Sequence, residues 1–206
     1  MARAVRPYHH GDLRRALLEE AARLIESEGA QALTLREVAR RLGVSHAAPA
    51  HHFPDKNALL AELGAEGFEQ LTEALLGSMR ERDTPAARLQ AQGKAYVRFA
   101  LSAPGHFRVM FGGSLRGLQP PPRLAEASER AYRALETAVA AVLGPARTRS
   151  ARRLRESVFL AWSLVHGAAT LLLDGALPGE PLSEPAALQL VDSVVASAVT
   201  TLTRDE

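Results

Sequence analysis

The sequence predicts an all-α fold in two parts, a three-helix N-terminal unit over residues 1–55 and a helical bundle over 56–206. Three observations predict it. Apolar residues recur at three- and four-residue spacing almost continuously. No segment alternates apolar and polar residues as a half-buried strand would, and no turn dipeptide joins two apolar runs. Residues that start and stop helices punctuate the periodic stretches at short intervals.

In the first helix Leu13, Leu17, Ala21, Leu24 and Ile25 share a face, with Asp12 placed to cap its start and Gly29 its end. The second opens at Thr34, whose hydroxyl can accept from the amide three residues on. Glu37 would complete a capping box, and Leu33 and Val38 an apolar staple. Leu35, Val38, Ala39 and Leu42 then recur on one face until Gly43, which tolerates a left-handed backbone. Ser45 offers another N-cap at once, with Val44 and Pro49 as its apolar pair, so a third helix is expected after about three residues. Pro49 forgoes the hydrogen bond to the Ser45 carbonyl, a loss the first turn of a helix is expected to absorb. Pro54 stops this helix, and one over 56–82 follows, with Gly64, Gly67 and Gly77 as weak points. Helices are expected over 84–103 and, opened by Pro104, over 104–111. GGSLRGLQPPP reads as a loop, and further helices span 123–143, 149–173 and 186–202, the last after the break GALPGEPLSEP.

Two short helices joined by a tight glycine-containing turn form a helix-turn-helix, which can lay its second helix in the DNA major groove. Similar hairpins also occur inside bundles. Charge adds a modest hint. The net charge is +2, but residues 1–56 hold nine Lys/Arg against seven Asp/Glu, while the remainder is balanced at sixteen each. Five of the seven histidines, His9, His10, His46, His51 and His52, fall in the same stretch. A solvated helical face could show the same numbers, so the bias points to nucleic acid only in company with the motif.

Composition excludes other classes. With 47% hydrophobic residues a chain of 206 can bury a sizeable core. The absence of cysteine rules out disulfides and thiolate metal sites. The start MARAVRPYHHGD lacks the apolar run of a signal peptide. The longest apolar candidate, 159–173, falls short of the ~20 residues a bilayer span needs. The expectation is a cytoplasmic protein with no membrane partner. No Gly-rich phosphate loop or nucleophile elbow suggests an enzyme, and no cofactor is expected. The paired histidines do not read as a metal site, because neighbours at i and i+1 point apart on a helix and nothing acidic completes the set.

The last two helices carry heptad seams. Leu154, Val158, Ala161, Val165, Ala168 and Leu172 are spaced 4, 3, 4, 3, 4, and Leu188, Val191, Val195, Ala198 and Leu202 are spaced 3, 4, 3, 4. Any one seam can face its own core. Two adjacent seams with small knobs also suit a four-helix interface between two copies, and a homodimer through them is expected. Such a dimer sets two DNA readers about one helical turn apart, or a simple multiple, as a palindromic operator requires. Phe159, Trp162, His166 and Leu173 form another stripe. With Tyr96, Phe99, Phe107, Met110 and Tyr132, its three ring-bearing members read as walls of a small-molecule pocket. The alternative is a packed core in which Trp162 meets His166 and Gly167 permits close helix approach.

With these residues in place, the chain resembles the TetR family of bacterial transcriptional repressors over essentially its whole length. The resemblance rests on HHGDLRRALLEEAARLIESEG, TLREVARRLGVS, HFPDK and the Ala-Leu-Leu that follows. The C-terminal part is similar to the branch marked by a Trp-His-Gly motif, here WSLVHG, preceded by AYVRFALSAPGHFRVMF. The resemblance implies a DNA-binding N-terminal domain, a ligand-binding and dimerising C-terminal domain, and release from an operator when an unknown small-molecule effector binds. By position, it implies Thr34 on a phosphate with Arg36 beside it. Ser45, His46, Ala47 and Ala48 fall at the base-reading start of the recognition helix, His51 and His52 on backbone or bases, and Lys56 as a phosphate clamp. Ala50 departs from the family, which usually has a tyrosine there to hold the DNA backbone. That departure keeps a second reading open, a helical ligand- or partner-binding protein whose DNA binding is weakened or lost.

Overall fold

The computed structural model describes residues 13–79, 84–117, 119–177 and 182–203, the side chains of 202 and 203 excepted. Its elements are α1 (Leu13–Glu28), α2 (Leu35–Leu42), a 3₁₀ turn (Ala48–His51), α3 (Lys56–Ser78), α4 (Pro85–Ser102), α5 (Pro104–Phe111), α6 (Pro122–Thr148), α7 (Ala151–Leu173) and α8 (Glu184–Thr203). Among the described residues there is no strand, and the all-α expectation holds. The expected caps at Asp12 and the end of the 56–82 helix lie outside the described residues; α3 itself closes at Ser78.

Local chemistry sets most boundaries. The Thr34 hydroxyl accepts from the Glu37 amide at 3.0 Å, and Leu33 and Val38 are fully buried across the helix start. Glu37 does not reach back to finish a capping box, because its carboxylate is taken by Arg40 and Arg41. Gly43 has φ 68° and closes α2 while the Val44 amide reaches the Ala39 carbonyl, the paired closure that a left-handed glycine permits. Asp55 caps α3 through the Ala58 amide, Thr84 caps α4 and Ser150 caps α7. Gly144, at φ 75° and ψ 170°, interrupts α6 where the sequence predicts its end.

The third helix differs from expectation. After Gly43 the chain forms no α-helix and no side-chain cap at Ser45, only the 3₁₀ turn. Pro49 has no amide to give, so the Ser45 carbonyl takes the Ala48 amide instead, and the next bonds also run at 3₁₀ spacing until Phe53 reaches Pro49. Pro49 itself is buried.

Two main cores follow. One packs Leu17, Leu24, Ile25, Leu33, Val38 and Phe53 with Leu59, Leu60 and Leu63 of α3, and draws in Val109 of α5. The N-terminal unit is therefore closed by residues beyond 55. The other is built by α3, α4, α5, α6, α7 and α8 around Tyr96, Phe99, Phe107, Val165 and Val195. Gly64 and Gly67 are contact points rather than weak points. A Cβ at Gly67 would lie 2.5 Å from Met110 Sδ, and one at Gly64 would lie 2.9 Å from Leu115 Cδ1. α7, at 23 residues, is long and apolar enough by length and composition to cross a bilayer, contrary to the reading of 159–173 alone. Here it packs against α4, α6 and α8.

Candidate nucleic-acid interface and interior cavity

The residues expected to meet DNA sit on the first turn of α2 and the segment after Gly43. Thr34, Arg36, Ser45, His46, Ala47, His51 and His52 are exposed, as is Ala50, while Ala48 is half-buried. The Thr34 oxygen is occupied by its capping bond, which leaves the hydroxyl proton free to donate outward. Arg40 and Arg41 share the single carboxylate of Glu37, and Arg41 also pairs with Glu28. The Glu37 carboxyl is lowered to about 2, chiefly by its hydrogen bonds to Arg40 and then Arg41. Arg36, by contrast, makes no ion pair or hydrogen bond among the described residues. The Lys56 ammonium donates to the Ala30 carbonyl at 2.9 Å, tying the start of α3 to the end of α1.

Interior residues form a cavity of about 180 Å³ between α3, α4, α6, α7 and α8, with Phe111 of α5 in its wall. Of the expected pocket residues, Tyr96, Tyr132 and Trp162 line it. Phe99, Phe107 and Met110 are buried behind it in the core, and Phe159 is excluded, being 69% exposed on the opposite face of α7. His166 supports the wall. Trp162 Nε1 donates to the Tyr96 hydroxyl at 3.3 Å, and that hydroxyl lies 2.9 Å from His166 Nδ1. Indole can only donate, so the Tyr96 oxygen accepts from it while the same hydroxyl is joined to His166 Nδ1. Burial raises the Tyr96 hydroxyl above its ordinary range and lowers His166, both of which favour the neutral forms. His166 also stacks on Phe107 with ring centroids 5.4 Å apart.

Gln92 escaped the sequence reading. It is 2% exposed, lines the cavity, and leaves its Oε1 with no hydrogen-bond partner among the described residues. A signal existed: Leu89, Gln92, Tyr96 and Phe99 fall at helical spacing, so a polar residue interrupts an apolar stripe. Phe68, Phe111 and Ser128 were missed as well.

The seams take a different place from the one expected. Val158, Ala161, Val165, Val191, Val195 and Ala198 are each at most 8% exposed and belong to this subunit's own core. Ala168 and Leu172 pack against that core, and Leu154 against the cluster at Val139 and Val158. Leu188 is half-buried on α8, and the Leu202 side chain lies outside the described residues. The seams face inward because α4 and α6 already cover that side of the pair. The apolar surface left outside is carried by Phe159, Leu160, Leu171 and Leu190. Gly167 has open space where a Cβ would stand, so no helix of this subunit approaches it closely.

Two helices touch both regions: α3 carries Leu59, Leu60 and Leu63 in the N-terminal core and Phe68, Leu71 and Leu75 at the cavity, and α5 spans the two over a shorter length. On α5, Arg108 donates to the Glu26 carbonyl at 2.6 Å and Val109 enters the N-terminal core, while Phe107 and Phe111 meet His166 and the cavity wall.

Residues 17–63 match the family described as bacterial regulatory proteins, tetR family, and residues 89–197 match the tetracyclin repressor-like C-terminal domain. The transcriptional regulator BetI of Burkholderia mallei is 31% identical over 192 residues, covering 89% of this chain and 92% of that protein. BetI of Rhizobium meliloti is 33% identical over 91 residues, and there the chain spans about half the relative's length, at 45%. A solved structure of a protein of unknown function from Rhodococcus sp. RHA1 superposes with a TM-score of 0.74 at 36% identity, over 97% of each chain.

Proposed function

The chain belongs to the TetR family of bacterial regulatory proteins, and we propose that it is a homodimeric repressor released from a palindromic operator when a small molecule fills the cavity. One observation carries this reading. A surface with exposed Thr34, Arg36, Ser45, His46, His51 and His52 and a largely apolar cavity are joined through two helices, α3 and the eight-residue α5. Thr34 and Arg36 hold phosphates, and His46 offers a hydrogen bond to a base edge with Ala47 and Ala48 beside it for thymine methyls. His51 and His52 contact backbone or bases. Lys56 supports the fold through Ala30 and takes the backbone only at the expense of that bond.

Ligand in the cavity displaces Phe111, and α5 carries the displacement to α1 through Val109 and Arg108. The branch marked by the Trp-His-Gly motif belongs to this proposal, supported by the Trp162, Tyr96 and His166 chain. So do a cytoplasmic location and the absence of enzymatic chemistry, which accord with relatives that are transcriptional regulators. The 1–55 and 56–206 division is retained as a functional one, reader and body, across a shared core. The pair of copies meets through the outward faces of α7 and α8, with Phe159, Leu160, Leu171 and Leu190 as its apolar centre.

Fluorescence anisotropy of the purified protein on the duplex upstream of its own gene, against a scrambled duplex, tests the reading. Specific binding that weakens steeply with salt is expected. Equal, weak binding to both duplexes and to genome-selected sites would leave the alternative favoured by Ala50, a ligand-binding protein that no longer reads DNA.

A further inference from the structure

Gln92 projects from α4 into the cavity wall between Leu89 and Tyr96. Its Nε2 donates to the Ala134 carbonyl at 3.4 Å. That bond fixes the amide, since a flip would set two oxygens lone pair to lone pair. The acceptor Oε1 is thus turned away from Ala134, buried and without a donor among the described residues. A buried acceptor left unmade is destabilising, so its retention points to a donor supplied from outside the fold.

The rest of the wall narrows what can supply it. The Tyr96 hydroxyl is engaged by Trp162 and His166. Ser128 spends its proton on the Ala125 carbonyl at 2.9 Å and has only lone pairs to offer. No lysine, arginine, aspartate or glutamate lines the cavity among the described residues. A carboxylate or ammonium would lose its hydration there and meet no opposite charge. The remaining surface is aliphatic and aromatic, with rings from Phe68, Tyr96, Phe111, Tyr132 and Trp162. At about 180 Å³ the space is close to the roughly 150 Å³ of a cavity known to take benzene.

Resting on the reading of this cavity as the effector site, we propose that it binds a neutral single-ring phenol or aryl alcohol whose hydroxyl donates to Gln92 Oε1. The ring fills the apolar space. The hydroxyl completes a buried acceptor that the fold leaves without a donor among the described residues.

Trp162 is the chain's single tryptophan and lines the cavity, so its emission reports occupancy without DNA. The full chain is titrated with p-cresol, toluene and benzoate, with calorimetry alongside. Binding of p-cresol about tenfold tighter than toluene is expected, with no saturable response to benzoate. In Gln92→Leu, or Gln92→Met should the first not fold, the preference for p-cresol falls to about twofold or less. Equal affinity for toluene and p-cresol, benzoate binding as tight as p-cresol, or no saturable response to p-cresol overturns the proposal. Selective p-cresol binding that leaves the operator complex intact supports the ligand class and instead removes effector release.

Discussion

Thr34 has an observed duty, the cap of α2, and a proposed one on phosphate, which one substitution can separate. Its oxygen caps α2 and its proton is free for a phosphate. Thr34→Ala removes both, costing about 1 kcal/mol of stability and lowering Tm by about 2–4 °C. Thr34→Asp keeps the cap but sets a carboxylate against the backbone of DNA. Its Tm should match the parent within about a degree, while operator affinity by anisotropy drops at least about tenfold. His166 offers a second residue-scale test. Burial holds the folded imidazole below its ordinary value, so on acidification the unfolded chain takes up this proton first, from about pH 6.5 downward. Stability then declines until the folded imidazole is itself protonated. Scanning calorimetry between pH 7.5 and 5 should therefore show a steeper fall for the parent than for His166→Gln. Parallel curves would mean that His166 does not carry this proton.

At the scale of elements, α5 is the short link on which the proposed release depends, and Gly105 fixes how it lies on α1. A Cβ there would press into the Ala22 carbonyl, closer than side chains ever sit, and backbone cannot swing aside as a flexible tip can. Gly105→Ala should cost about 1–3 kcal/mol in urea unfolding and blunt the loss of operator binding on ligand addition. Unchanged stability would show that α1 and α5 separate freely. This link was not legible in the sequence, because the contact joins residues 22 and 105 and nothing local announces it. What was legible is local: the Thr34 cap, the Gly43 stop, the Pro104 start and the Gly144 break all act on their own or neighbouring backbone. The missing third helix shows the limit of such signals. Ser45 and Pro49 satisfied the pattern of a helix start, yet the absent Pro49 amide tipped four residues into a 3₁₀ turn. Gln92 was passed over because polar residues on helices are ordinarily read as solvent-facing, although the stripe of Leu89, Tyr96 and Phe99 marks its side as the inner one, as the packing of α4 against α6 and α7 shows.

For the whole molecule, the question is which face of the α7 and α8 pair would meet the second copy that the proposed dimer requires. Heptad spacing identifies a helix face that wants burial but not which neighbour buries it, so the seams read equally well as core or as interface. The fold buries Val158, Val165, Val191 and Val195 internally. The outward side still presents Phe159 at 69%, Leu171 at 46% and Leu190 at 46% exposed, apolar surface that a lone copy would leave in water. Small residues lie among them, including Ser163, Gly167 and Ser193, which lets a partner helix come close. Charging the outer face should therefore divide the dimer where charging the seam would unfold the subunit. Phe159→Glu with Leu171→Glu is expected to yield a folded monomer by light scattering, with Tm lowered by the lost association. Val165→Glu, which buries an unpaired charge, should fail to fold. The monomer keeps its N-terminal reader but engages only one half-site, so operator affinity should fall at least about a hundredfold, because the second reader no longer binds at high effective concentration. A double variant that remains dimeric would place the interface elsewhere.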